Sequence, residues 1–258
     1  MSSILFEIKD SIGLITLNRA EKYNAFNREM ALELQQKLHE ASINTDIRCI
    51  MITGAGKAFS AGQDLDEVVA KDGPDITSIL EEHYNPVIRQ IRSLEKPVLA
   101  VVNGVAAGAG ANIALCCDIV IAARSSSFIQ AFSKIGLIPD SGGTYFLPRL
   151  VGWQKASALA MLGDKVPADE AEKMGMIYKV FDDAVFMEEA YKLAGVLAVM
   201  PTKGLAYTKQ ALNASFCNNY NEQLILEEEL QEKAGQTADY KEGVQAFLEK
   251  RKPIFKGE

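Results

Sequence analysis

Residues 4–8 and 12–17 alternate apolar and polar side chains around Asp10-Ser11-Ile12-Gly13, which predicts a β-hairpin. The period then changes. In NREMALELQQKLHEAS, Met30, Leu32, Leu34 and Leu38 recur near helical spacing, and Asn27 is placed to cap the helix. RCIMITG, KPVLAVVNG and DIVIAA are short, nearly unbroken apolar runs, the pattern of strands buried on both faces. SILEEHYNPVIRQIRSL predicts one helix between the first two, and the glycine-rich VAAGAGANIALCC opens another. Strand, glycine loop and helix thus alternate, which predicts an α/β fold with strands stacked in repeats.

Beyond about residue 184 the pattern is helical throughout. FMEEAYKLAGVLAVM, TKGLAYTKQALNAS, NYNEQLILEEELQEKAGQ and ADYKEGVQAFLEKRK each read as amphipathic helices. Pro201 marks a break. The expected division is a core, residues 1–198, that carries the site, and an all-helical C-terminal region, residues 199–258.

Composition narrows the function more than the fold. A net charge of −7 argues against nucleic acid as a partner, since phosphate binding wants a basic surface. An anionic small ligand needs only a local basic patch. The first apolar runs are broken by Glu7, Lys9 and Asp10, unlike a signal peptide, and no run reaches the ~18 apolar residues of a membrane helix. Cys49, Cys116, Cys117 and Cys217 have no metal-ligand spacing, and with two histidines no metal site is expected. His39 and His83 lie within helical patterns, at surface or packing positions. A reduced, cytoplasmic enzyme fits these features.

Candidate chemistry centres on IGLIPDSGGTYFLPRLVG, where Asp140 is the lone acid. Among Ile138, Tyr145, Phe146 and Leu147 its carboxyl should have a raised pKa, suited to carrying a proton. Alternatively it caps a helix starting near Ser141, and the two roles are compatible. Two glycine-rich turns, AFSAGQDL and NGVAAGAG, each follow a buried strand. Together they offer backbone N–H groups for one oxygen, as in an oxyanion hole, or serve only close packing. GVAAGAG does not match the dinucleotide pattern GxGxxG, and no GxSxG nucleophile elbow is present.

KAFSAGQDL, VNGVAAGAGANIALCCDIVIAA, GLIPDSGGTYFLPRLVG and ADYKEGVQAFLEKRKPIF, in that order, closely resemble the enoyl-CoA hydratase/isomerase (crotonase) superfamily across essentially the whole chain. The resemblance implies a crotonase-like spiral of ββα repeats with a C-terminal all-helical trimerisation region, forming a homotrimer or a dimer of trimers. It implies an acyl-CoA thioester as substrate, with no separate cofactor. The thioester oxygen would sit on the backbone N–H groups of Gln63 and Ala109, whose side chains then should not matter. Hydratases of the family carry two glutamates at slots that fall here on Asn112 and Phe132. With both acids missing, Asp140 is left to move one proton between two carbons, which is isomerase chemistry. Within the family the chain is most similar to the branch that isomerises ring-epoxidised phenylacetyl-CoA and shifts double bonds in enoyl-CoA. A hydratase or lyase, or a non-catalytic acyl-CoA-binding homologue, are the alternatives. Asn112, Phe132 and Tyr145 are expected to line an acyl pocket. Coenzyme A is expected on Lys22, Tyr23, Ala25, Ala61, Gln63, Asp64 and Leu65. Lys250, Arg251, Lys252 and Lys256 could add positive charge or simply end a helix.

Overall fold

In the computed structural model, which describes residues 2–258, ten strands form two sheets. They are β1 (Ile4–Lys9), β2 (Ile12–Leu17), β3 (Cys49–Gly54), β4 (Ala58–Ser60), β5 (Val98–Val102), β6 (Val105–Ala107), β7 (Ile119–Ala123), β8 (Ser127–Ile129), β9 (Lys165–Pro167) and β10 (Lys179–Phe181). The larger sheet runs β1-β2-β3-β5-β7-β10 and the smaller β4-β6-β8-β9. Each successive pair, β3/β4, β5/β6 and β7/β8, gives one strand to each sheet, and β3, β5 and β7 pair in parallel. This is the expected spiral of repeats.

The apolar runs are explained by burial on both faces. Ile50, Ile52, Val98, Ala100 and Val102 point into the main core. Met51, Leu99, Val101 and Ile121 point the other way, into a second apolar layer. That layer is closed by Phe186, Ala190, Ala194 and Ala198 of one helix, Phe186–Ala198. Small alanines every fourth residue let it lie close on the sheet.

The helices in chain order are α1 (Arg28–Ile43), α2 (Leu65–Val68), α3 (Ile76–Ser78), α4 (Asn85–Ser93), α5 (Ala109–Leu115), α6 (Gly143–Val151), α7 (Trp153–Leu162), α8 (Ala168–Lys173), α9 (Phe186–Ala198), α10 (Thr202–Ala214), α11 (Tyr220–Gly235) and α12 (Ala238–Glu249). Asn27 caps α1 as expected, its side chain accepting from the Met30 N–H at 3.0 Å. Leu32, however, is 40% exposed, and Ala31 and Ala41 share the buried face instead. The hairpin forms as expected. Asp10 and Ser11 both have positive φ, as a two-residue type I′ turn requires, and Ile12 and Gly13 already belong to β2.

The predicted single helix of SILEEHYNPVIRQIRSL is instead interrupted. Between α3 and α4, Ile79–Tyr84 is a π-helical turn in which the Asn85 N–H bonds to the Leu80 carbonyl. Pro86 has no N–H to give the preceding turn. Gln35 Nε2 fills that gap, donating to the Glu82 carbonyl at 2.7 Å. The short elements α6 to β10, over residues 143–181, carry too few periods to be legible in the sequence.

Helix α10 is fastened to the core by a buried ammonium. Lys209 Nζ donates to the Ile91 carbonyl at 2.7 Å and to Asp118 at 2.8 Å, and Arg92 meets Asp118 and Asn213. Burial pushes the Lys209 pKa below its ordinary value, and the Asp118 carboxylate opposes that shift.

Candidate active site

The two glycine turns meet. Gly62 has φ +91°, and a Cβ there would fall 2.8 Å from the Ala107 carbonyl and 3.4 Å from the Ala109 nitrogen. Gly110 touches Ser60 in the same way, with a Cβ position 2.6 Å from its side chain. The glycines are there because two backbones touch. The N–H groups of Gln63 and Ala109 have no partner among the described residues, and both residues line one cavity of about 420 Å³. Ala109 is the first residue of α5, so its free N–H also carries the positive end of the helix.

Asp140 lines the same cavity. Burial raises its carboxyl pKa to about 6, partly opposed by the Ser141 hydroxyl, which donates to Oδ1 at 2.8 Å. The apolar surroundings differ from those expected. Ile138 is 79% exposed, and the cavity wall is made by Leu65, Val68, Ile79, Leu80 and Phe132 from elsewhere in the chain. Nor does the Asp140 side chain cap a helix. Helix α6 starts at Gly143 behind Gly142, with no side-chain cap. The Asp140 main-chain carbonyl takes that end, accepting the Gly143 N–H at 2.7 Å.

That carbonyl has a second donor, Asn112 Nδ2 at 2.9 Å, and Asn112 Oδ1 in turn accepts from Gln130 at 2.8 Å. Asn112 is 1% exposed and sits behind the cavity rather than in its wall, contrary to expectation. Its amide is spent holding the loop that aims Asp140. Phe132 does line the cavity. Tyr145 does not. Its ring packs edge-on to Phe216, with the Arg149 guanidinium 3.9 Å from its centroid, because the turn of α6 points it toward the end of α10. Tyr84, which the sequence did not single out, closes the wall beside Gln63. Pro86 just beyond it was the one available sign of an irregular turn.

Of the expected coenzyme A residues, Lys22, Tyr23, Ala25 and Asp64 do not line the cavity. The Ala61 N–H bonds to the Tyr23 carbonyl at 2.9 Å, which ties loop 19–25 to the first glycine turn. Lys22 is paired with Asp66 at 2.6 Å, and Tyr23 is exposed. Ala25 is buried, its carbonyl accepting from Arg19. Asp64 is paired with Arg19 at 2.8 Å and also caps α2, so its carboxylate is already engaged. Ala61 and Leu65 line the cavity. Lys250, Arg251, Lys252 and Lys256 do not line it, and Arg251 is held by Glu242 and Glu249. Among the described residues no three His, Cys, Asp or Glu side chains are grouped to hold a metal, and no helix is long and apolar enough to cross a membrane.

The packing behind Asp140 makes Gly143 a sensitive position. A Cβ there would fall 2.3 Å from Asn112 Nδ2. Gly143→Ala is expected to displace the Asn112 amide, to destabilise the protein by ~1–3 kcal/mol as overpacking does, and to lower turnover at least tenfold. Thermal melting and steady-state kinetics check both.

Residues 7–258 match the enoyl-CoA hydratase/isomerase family. The chain is 49% identical to the 1,2-epoxyphenylacetyl-CoA isomerase of Escherichia coli K12, covering 100% of this chain and 99% of the relative. It is 46% identical to a protein of Rhodobacter capsulatus named "Probable enoyl-CoA hydratase", over 99% of this chain and 98% of that one. Among solved structures, the enoyl-CoA hydratase of Bacillus anthracis superposes with a TM-score of 0.92 at 31% identity, covering 99% of this chain and 100% of that chain.

Proposed function

The chain belongs to the enoyl-CoA hydratase/isomerase family, and we propose that within it the protein is an acyl-CoA isomerase that moves one proton through Asp140. The observation that carries this reading is a single buried carboxyl, its pKa raised to about 6, in the same cavity as two unpaired N–H donors. The thioester carbonyl oxygen lies on the N–H groups of Gln63 and Ala109. Asp140 removes a proton from the acyl chain, and the C–H electron pair flows into an enolate whose charge rests on that oxygen. The same carboxyl then delivers the proton to another carbon. Nothing is gained or lost, so no cofactor is needed beyond the coenzyme A of the substrate.

The acyl group is either a ring-epoxidised phenylacetyl group or an aliphatic enoyl chain, against the apolar wall of Leu80 and Phe132. Coenzyme A binds beside the first glycine turn, near Lys22, Tyr23, Ala25, Ala61, Gln63, Asp64 and Leu65. The protein works as a homotrimer or a dimer of trimers. The cysteines are free and three of the four are buried, in keeping with a cytoplasmic enzyme.

The hydratase name of the 46%-identical relative favours a second reading, water addition. Water addition calls for a base and an acid around one water. Here Asn112 is committed to the Asp140 loop and Phe132 has no titratable group. Turnover of a panel of aromatic and aliphatic acyl-CoA thioesters, followed by mass spectrometry, separates the two. Isomers should form far faster than 3-hydroxyacyl-CoA. Efficient water addition would overturn the isomerase reading.

A further inference from the structure

One polar chain in the cavity wall takes no part in the proton transfer. Tyr84 is 1% exposed, yet its hydroxyl stands at the cavity and donates to Gln63 Oε1 at 2.7 Å. Gln63 Nε2 points the other way, toward Glu67 Oε2 at 3.2 Å and the Asp64 carbonyl at 3.4 Å. Glu67 is itself held, its Oε1 accepting the Arg28 N–H at 2.9 Å. A carboxylate and a carbonyl can only accept, so the amide nitrogen must face them. Oε1 must then face Tyr84, and Tyr84 must donate. Burial, with the negative charges of Asp140 and Glu67, holds the Tyr84 pKa well above its ordinary value, so the phenol keeps the proton this bond needs.

The main chain on either side of Gln63 is also clamped. The Phe26 N–H bonds to the Gly62 carbonyl at 2.7 Å and the Asp64 N–H to the Phe26 carbonyl at 2.8 Å, while the Tyr84 ring packs edge-on to Phe26 at 5.9 Å. The Gly62–Gln63 peptide that carries this N–H is thus held through its own carbonyl, and the Gln63 side chain adds a second tie on the same residue. The π turn supplies the partner. Its i→i+5 bonding draws Ile79, Leu80 and Tyr84 onto one side of the segment, all three at the cavity, while His83 turns to Arg28.

We infer that Tyr84 is a positioning residue for the thioester oxygen: through the Gln63 side chain it works with the Phe26 clamp to hold the direction of the Gln63 N–H. The inference rests on the oxyanion role proposed above for that N–H. It also revises the expectation that the Gln63 side chain does not matter.

The test is Tyr84→Phe, which keeps the ring and its packing, beside Gln63→Ala and the double variant. The readouts are kcat, KM and the infrared carbonyl band of bound, isotope-labelled phenylacetyl-CoA. In wild type, binding should lower the band frequency. Tyr84→Phe should lose about tenfold in kcat with KM changed less than about threefold, part of what a whole oxyanion donor is worth, and should shift the band less. Gln63→Ala should lose as much, and the double variant no more than either, since the two act as one unit. An unchanged kcat and band in folded Tyr84→Phe overturns the inference, as does an unchanged band with kcat and melting temperature falling together. Asp140→Asn in the same assay separates the two claims. Normal turnover there, with the band still dependent on Tyr84, defeats the proton-carrier reading and leaves this one standing.

Discussion

Asp140→Asn is expected to lower kcat by about 10²–10⁴, the usual worth of general acid–base catalysis, with KM little changed. The substitution keeps the shape of the side chain and its reach to Ser141, and removes only the capacity to take a proton. The pH profile supplies an independent check. As the base, Asp140 must be ionised, so kcat/KM of the wild type should rise with pH through about 6 and level off above it. An ordinary surface aspartate would have passed the midpoint of that rise near 3.8.

Stability should move in the opposite direction. The folded protein holds the Asp140 proton up to about 6, whereas the unfolded chain releases it near 3.8. The folded state is therefore favoured at low pH and loses that advantage as pH climbs through this window, by at most about 3 kcal/mol at 1.36 kcal/mol per pKa unit. Asn carries no such penalty. Asp140→Asn should melt higher than wild type at pH 7 and about level with it at pH 4. An inactive variant that gains stability at neutral pH is the signature of a carboxylate buried for function. Full activity, or a melting difference independent of pH, would show that Asp140 is a structural acid.

Ala109→Pro should cost about 10²–10³ in kcat, the worth of one oxyanion donor, because proline has no N–H. The site is unusually suited to this test. Ala109 is the first residue of α5, where proline is tolerated and its fixed φ matches the helix. Its N–H has no partner among the described residues, so the substitution breaks no hydrogen bond seen there. Ala109→Gly is the control. It keeps the donor and should cost little activity, with up to about 1 kcal/mol of helix stability. A folded Ala109→Pro protein with normal turnover would place the thioester oxygen elsewhere.

The sheet was legible because β3, β5 and β7 are apolar on both faces, and a run such as CIMIT has few other places to go. The two glycine turns and the acid after Pro139 were legible too, as local departures from periodicity. Their meeting was not written in any one stretch. Gly62 approaches Ala109 because β4 and β6 are neighbours in the second sheet, and Asp140 joins their cavity on a loop held by Asn112 of α5. The misplaced residues failed for the same reason. Tyr145 lies five residues from Asp140 but one helical turn aims it at Phe216, while Leu80 and Tyr84, far away in sequence, form the wall. Asn112 stood out only as a slot where hydratases of the family carry a glutamate, and its partner, the Asp140 carbonyl, could be seen only once α5 and the loop were packed. Periodicity, charge and turn chemistry are properties of neighbours along the chain, and they determined the elements, the repeat and the candidate acid. The convergence of groups on one cavity depends on which elements lie side by side, and burial by residues remote in sequence is what raised the Asp140 pKa and left two N–H groups without partners.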